Sequence, residues 1–318
     1  MADEERSLGR RAVLKATPAV VGGAVGLAGC ATPLAAGGPG SVSLLSAGSL
    51  ARTFEDHVAP AFERQTGTVV YGEYYGSNAL MRMVEDGTEY PDVVVSADAT
   101  LLRERLYGEF TDWDVAFAAN SLGVGYRAET DLGRALDRGE PWYEVALGAE
   151  PGEVAIADPD LDPLGYRAVQ AFELAAAEHG LEGFREAMLE RVYQEPEEPQ
   201  LLAGVETGAR AAGLVYRNMA LDRDLPFLEF PDAYNFARAG LTDHYATVEY
   251  TTDEEGYTAV GRPILYNATV NNEADEPDGA LRLVQFLVDN PDVLVDAGLT
   301  VREPIPRQRG ERLDAIDV

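Results

Sequence analysis

Residues 158–167 read D-P-D-L-D-P-L-G-Y-R, and Asp162 within them carries the first chemical possibility in the chain. The run follows apolar residues 154–157 and opens a helical pattern with Tyr166, Val169, Phe172 and Ala176 on one face. Asp162 before Pro163 is the grammar of a helix start: the carboxylate accepts orphan backbone N–H groups, and proline gives up an N–H that had no partner. The other reading is that the carboxylate also points into a cleft and binds something. Ser49 after Gly48 and Ser77 after Gly76 each stand where a strand breaks into a helix. Each serine serves as a cap, or its hydroxyl and the free N–H groups beside it hold an anion where the helix dipole favours one. The glycines allow the backbone to approach a ligand closely. Glu206 lies beside an apolar stripe in the last turn of a short helix, where dipole and desolvation both oppose its charge. It needs a positive partner: Arg210, or a bound cationic centre.

The inventory for catalysis is thin. His57, His179 and His244 are scattered, and no G-x-S-x-G, cysteine nucleophile or His-rich metal motif occurs. Asp162 and Glu206 could form a glycosidase pair, but neither Trp113 nor Trp142 sits in a loop with Ser49 or Ser77 to act as a sugar platform. The expectation is a binding protein rather than an enzyme, with a secreted hydrolase as the remote alternative. Tyr74-Tyr75 is the pair a ferric-iron binder would use, yet adjacent strand residues point to opposite faces.

The elements that must position these residues follow a repeated unit. Residues 41–46, 69–75 and 92–95 read as strands, each broken by small residues and followed by a helical stretch. In the first of these Leu50, Phe54, Val58 and Phe62 recur at helical spacing; in the second Leu80, Met81 and Val84 do. Strand, break, helix, three times over, predicts α/β architecture with a parallel sheet, and ligands of such sheets sit beyond the carboxyl ends of the strands. Residues 120–126 are extended and cross into a second lobe. There a helix from 163 ends near Gly180, a loop at 194–199 is acidic and surface-exposed, Leu201, Leu202 and Val205 begin a short helix, and 212–216 is a strand. Residues 227–236 and 245–250 carry the chain back, and 262–270 adds a strand to the first lobe. The expected division is lobe one from 41–119 with about 240–318, and lobe two from 120–239. A chain that leaves a lobe and returns has a double-stranded hinge and a cleft that can close.

The chain has 318 residues, of which about 280 follow what reads as an export signal. Residues 9–15, G-R-R-A-V-L-K, are a twin-arginine pattern, and the apolar stretch behind it is too short and Gly-rich to span a membrane. L-A-G-C ends at Cys30, the one cysteine, as a lipid-carrying processing site would. Residues 1–29 are thus expected to be signal and 30–40 a flexible tether. Net charge is −30; the first thirty residues hold four basic and three acidic side chains, so the remainder carries −31. Lys15 is the sole lysine. Such a surface excludes nucleic acid and anionic membrane as partners and reads as adaptation to high salt, so it says nothing of the ligand's sign.

Taken together, A-G-S-L at 47–50, G-S at 76–77, D-V-V-V-S-A-D at 92–98, P-D-L-D-P-L-G-Y-R at 159–167, V-E-T-G at 205–208 and P-I-L-Y-N-A-T-V at 263–270 resemble, in order, the archaeal tungstate/molybdate-binding lipoproteins of ABC transporters. The resemblance covers most of the chain beyond the signal. It implies a two-lobed, type II periplasmic-binding-protein-like fold and a monomer, lipid-anchored through Cys30 outside the cell, that needs no cofactor and delivers its oxyanion to a permease. It also implies that Ser49 and Ser77, with Gly48, Gly76 and Tyr166, hold the oxo groups, while Asp162 and Glu206 bond to tungsten or molybdenum. Two carboxylates facing sulfate would repel it and stay unpaired. They suit a hard metal centre that can expand from four to six ligands. A binder of sulfate or phosphate would instead use neutral donors.

Overall fold

The computed structural model describes residues 40–311 except 197, 254, 255 and 303, together with residue 316. The twin-arginine pattern, Cys30 and most of the tether lie outside the described residues.

Two sheets organise the chain. The first contains β1 (Ser41–Ala47), β2 (Val69–Tyr75), β3 (Val93–Ser96) and β4 (Trp113–Ala119). The second contains β5 (Leu122–Tyr126), β6 (Val154–Ala157), β7 (Tyr193–Glu195), β8 (Ala212–Tyr216) and β9 (Phe227–Glu229). A two-stranded ribbon follows, β10 (Glu249–Thr251) with β11 (Thr258–Val260), and then β12 (Leu265–Val270) and β13 (Arg307–Gly310) rejoin the first sheet. The strand orders are β13-β4-β12-β3-β1-β2 and β7-β6-β8-β5-β9.

β1 pairs in parallel with β2 and β3, as the repeated unit predicts. The sheet as a whole is mixed, because β12 enters between β3 and β4 antiparallel to both. A strand that comes back from the other lobe arrives running the opposite way. β9 pairs with β5 in the second sheet, and the β10–β11 ribbon packs on the helix Pro163–His179.

The helical faces read from spacing are the buried ones. Leu50, Phe54, Val58 and Phe62 are fully buried against the first sheet, as are Leu80 and Met81. Val169 and Phe172 do the same for the second lobe. With no disulfide in reach of a single cysteine, this burial of apolar surface holds the fold, at roughly 1.5–3 kcal/mol for each large side chain removed from water.

Between the sheets the chain crosses at Asn120-Ser121 and returns ahead of β12, which makes the two-stranded hinge. Asn120 sits there fully hydrogen-bonded: its Nδ2 donates to Asn218 Oδ1 at 2.7 Å and to Tyr266 Oη at 3.1 Å.

Candidate ligand site between the sheets

The ends of β1, β2 and β6 meet across the cleft. β1 runs out at Ala47 and the chain turns through Gly48 and Ser49, both buried. β2 runs out at Tyr75, and Gly76 precedes the helix Ser77–Glu85. Opposite them β6 ends at Ala157, and a turn delivers Asp162 to the start of the 163–179 helix.

Asp162 is a cap and more than a cap. Its Oδ1 accepts the Leu164 N–H at 2.7 Å. Its Oδ2 is buried and has no hydrogen-bond partner among the described residues. An unpaired buried carboxylate oxygen costs free energy, so something must face it. Burial pushes the Asp162 carboxyl up to about 7, although the Leu164 N–H and the charge of Arg167 both pull it down.

A second buried acid shares the site, and it is Glu198. It opens the helix Glu198–Thr207, is 2 % exposed, and leaves both carboxylate oxygens unpartnered. Ser49 faces it through hydroxyl and amide, without closing to hydrogen-bond geometry, and lowers its pKa. Burial and the neighbouring charge of Asp162 outweigh that and hold Glu198 well above the ordinary glutamate range. An acid whose charge raises the pKa of its neighbour is close enough to share one small ligand with it.

The glycines explain why these acids fit. A Cβ added to Gly48 would lie 2.6 Å from Glu198 Oε2. A Cβ on Gly76 would lie 2.4 Å from the Leu161 carbonyl and 2.9 Å from Asp162 Oδ2. The opposite lobe thus closes onto bare backbone at both strand breaks.

Three hydroxyls complete the surround. Ser77 Oγ accepts the Ala97 N–H at 3.0 Å, so its proton points elsewhere. Ser49 Oγ accepts from Tyr266 Oη at 3.2 Å, and Asn218 Nδ2 donates to the Ser49 carbonyl at 2.7 Å. Tyr216, at the end of β8, is fully buried and accepts from Arg167 Nη1 at 2.7 Å. Burial raises its pKa, and the charges of both Asp162 and Glu198 act on it, so its hydroxyl belongs to the same site.

The structure therefore brings Gly48, Ser49, Gly76, Ser77 and Asp162 together. Two expected members are elsewhere. Glu206 ends its helix in an ion pair with Arg223 at 2.5 Å, its side chain one-third exposed. The need for a positive partner is real, but Arg223 meets it, and Arg210 turns instead to Glu195 at 3.3 Å. Tyr166 gives its hydroxyl to Asp98 at 2.7 Å rather than to the acid pair. Glu198 and Tyr216 are the members that sequence reading missed. Glu198 sits at the edge of an acidic stretch that looks like a solvated loop, yet Glu198-Pro199 ahead of Leu201, Leu202 and Val205 repeats the helix-start grammar of Asp162-Pro163.

The sequence profile of the bacterial extracellular solute-binding proteins matches residues 42–299. The chain belongs to that family. This solute-binding protein is 48 % identical over 308 residues to an uncharacterised solute-binding protein of Halobacterium salinarum, covering 97 % of each chain. It is 36 % identical over 305 residues, 95 % of each, to a Haloferax volcanii protein provisionally named an ABC transporter molybdenum-binding protein. Among solved structures it is similar to the periplasmic molybdate-binding protein of Azotobacter vinelandii, with a TM-score of 0.57 at 17 % identity over 82 % of this chain and 100 % of that one. It is equally similar to a sulfate-binding protein of Mycobacterium tuberculosis, with a TM-score of 0.59 at 16 % identity over 83 % and 88 %. Likeness at that level establishes the type II binding-protein fold and leaves the choice of anion to the site itself.

Proposed function

We propose that this solute-binding protein captures molybdate or tungstate outside the cell and hands it to the permease of an ABC importer. The observation that carries this reading is the pair of buried carboxylates, Asp162 and Glu198, with three oxygens left unpartnered opposite the Gly48-Ser49 and Gly76-Ser77 breaks. Sulfate would find those oxygens repulsive, and its sulfur cannot take further ligands. Molybdenum(VI) and tungsten(VI) can, and hard carboxylate oxygens suit them. In this reading Asp162 and Glu198 add two ligands to the four oxo groups, with Glu198 in the part that sequence reading gave to Glu206. The hydroxyls of Ser49, Ser77 and Tyr216 and the backbone N–H groups at the breaks hold the oxo oxygens. Arg167, buried beside the pair, offsets part of the charge that the acids and the dianion bring together. The acids give selectivity by penalising sulfate and phosphate.

The protein's work in this reading is binding and release, not catalysis. Its address is the outer face of the membrane: export by the twin-arginine route, a lipid on Cys30 as anchor, and residues 31–40 as tether.

Calorimetry with molybdate, tungstate and sulfate side by side tests the reading. The first two bind and sulfate does not. Asp162→Ala and Glu198→Ala each weaken binding by at least about 100-fold, since loss of even an outer-shell partner costs 10–100-fold. Glu206→Ala leaves affinity unchanged. Sulfate binding on a par with molybdate, or unaltered affinity in Glu198→Ala, would defeat it.

A further inference from the structure

A second polar cluster joins the two lobes beside the acid pair, and its members Asp98, Tyr166 and Arg167 make no hydrogen bond to either acid. Asp98 stands at the end of β3 and caps the helix Ala99–Leu106, its Oδ1 accepting Thr100 N–H at 2.8 Å and Leu101 N–H at 3.2 Å. Its Oδ2 reaches across to the 163–179 helix, accepting Tyr166 Oη at 2.7 Å and Arg167 Nη2 at 3.4 Å. Arg167 Nη1 donates to the Ala97 carbonyl at 3.0 Å and to Tyr216 Oη at 2.7 Å. Asp98 and Arg167 are 6 % and 3 % exposed.

The connections run straight into the site. The Ala97 peptide lies between the two lobes: its N–H goes to Ser77 Oγ and its carbonyl to Arg167. Ser77 must therefore direct its proton away from Ala97, and Tyr216 must direct its proton away from Arg167. The Ala97–Ser77 bond lies within the first lobe and the Arg167–Tyr216 bond within the second, and the Arg167–Ala97 and Asp98 contacts fasten these two units together across the cleft.

We propose that the Asp98–Arg167 pair, with Tyr166, is a closure latch that holds the two lobes shut over the ligand site. Asp98 and Tyr166 are positioning residues: they act through Arg167 and Ala97. A latch of this kind forms after the ligand enters the open cleft. Its strength sets how long the ligand stays, not how fast it arrives. The buried charge of Asp98 is needed for it, because Arg167 would otherwise be shut away with only neutral acceptors.

This proposal rests on the molybdate/tungstate reading, and the test separates the two. Asp98→Asn keeps a good cap for the 99–106 helix but removes the charge facing Arg167. Stopped-flow measurement with molybdate should show dissociation about 10- to 100-fold faster, the scale of a charge-assisted hydrogen bond, with association unchanged and ligand-free melting temperature preserved. Tyr166→Phe, which loses one neutral donor, should speed dissociation by about 2- to 10-fold. Unaltered dissociation in both variants, or an effect confined to melting temperature, overturns the latch. If the wild type binds neither oxyanion, the proposed function fails and the latch is read from small-angle scattering of the ligand-free proteins. A larger radius of gyration in Asp98→Asn supports it, and equal radii overturn it.

Discussion

Asp162 shows how one side chain serves two ends. Its Oδ1 caps a helix while Oδ2 waits, buried and unpaired, in the cleft. Asparagine caps as well as aspartate, so Asp162→Asn separates the roles. Its ligand-free melting temperature should match or exceed wild type, while molybdate binding is lost in calorimetry. A cap-only residue would give the reverse: intact binding. The raised pKa gives a second check. The unfolded carboxyl titrates near 3.8 and the folded one near 7, so between those values the folded chain holds a proton that the unfolded chain has released. Stability of the ligand-free protein is therefore greatest at the acid end of that window and falls as pH rises towards 7, by a few kcal/mol at about 1.4 kcal/mol per unit. Ligand capture by the ionised pair works the other way, releasing protons below about pH 7 and tightening as pH rises to it. Thermal melts between pH 5 and 7.5 should slope downward for wild type and less steeply in Asp162→Asn, where the raised pKa of Glu198 still contributes. A wild-type slope of the opposite sign would mean that other carboxylates dominate.

At the scale of elements, the strand breaks are shaped by what closes on them. Gly76 has φ −57° and ψ 140°, a conformation any residue adopts, so Gly76→Ala should not strain the isolated lobe. In the closed cleft its methyl would meet the Leu161 carbonyl at 2.4 Å, a backbone atom that cannot swing aside. Oxyanion binding should fall at least about tenfold with ligand-free stability unchanged or raised slightly, a pairing that calorimetry and thermal melts together would show. The breaks themselves were legible in sequence, because Gly-Ser after an apolar run carries a local signature. So was the helix start at Asp162. The second acid was not, and the reason is physical: helical periodicity reports which face of an element is buried, but not which end of it another lobe covers. Glu206 lies at the end of its helix away from Glu198, paired with Arg223, whereas Glu198 at the start is covered by the Gly48 turn. Residues 194–199 look solvated because five of the six are acidic or proline; a three-residue strand and the first turn of a helix are too short to outweigh that composition. The parallel pairing of β1 with β2 and β3 followed from the repeated unit, while the entry of β12 between β3 and β4 depends on a return path that no local pattern encodes.

Across the whole molecule the question is how a chain of net charge −30 would take up the dianion proposed for it. Charge-lined clefts usually speed capture of ions of opposite sign, and here the signs are alike. A groove of about 570 Å³ bordered by Gly48 and Ser49 is lined by Arg52 and Arg223, but also by Glu55, Asp56, Glu73 and Asp222. Both arginines are already committed, Arg52 to Asp56 at 3.6 Å and Arg223 to Glu206. Four acids against two bases leave this groove beside the site negative, so local and global fields act in the same direction. Salt shortens the reach of both, from about 30 Å at 0.01 M to about 3 Å at 1 M. Association of molybdate should therefore accelerate as ionic strength rises across that range, the inverse of ordinary electrostatic steering. Dissociation from the buried site, where screening is weak, should change far less. Stopped-flow rates at several salt concentrations distinguish the possibilities. An association rate that falls with salt would mean that Arg52 and Arg223 draw the anion in despite their partners, and replacing both with glutamine would then remove the salt dependence. In the proposed reading, an acidic surface and a site that admits an anion are compatible because salt screens the surface from the ligand.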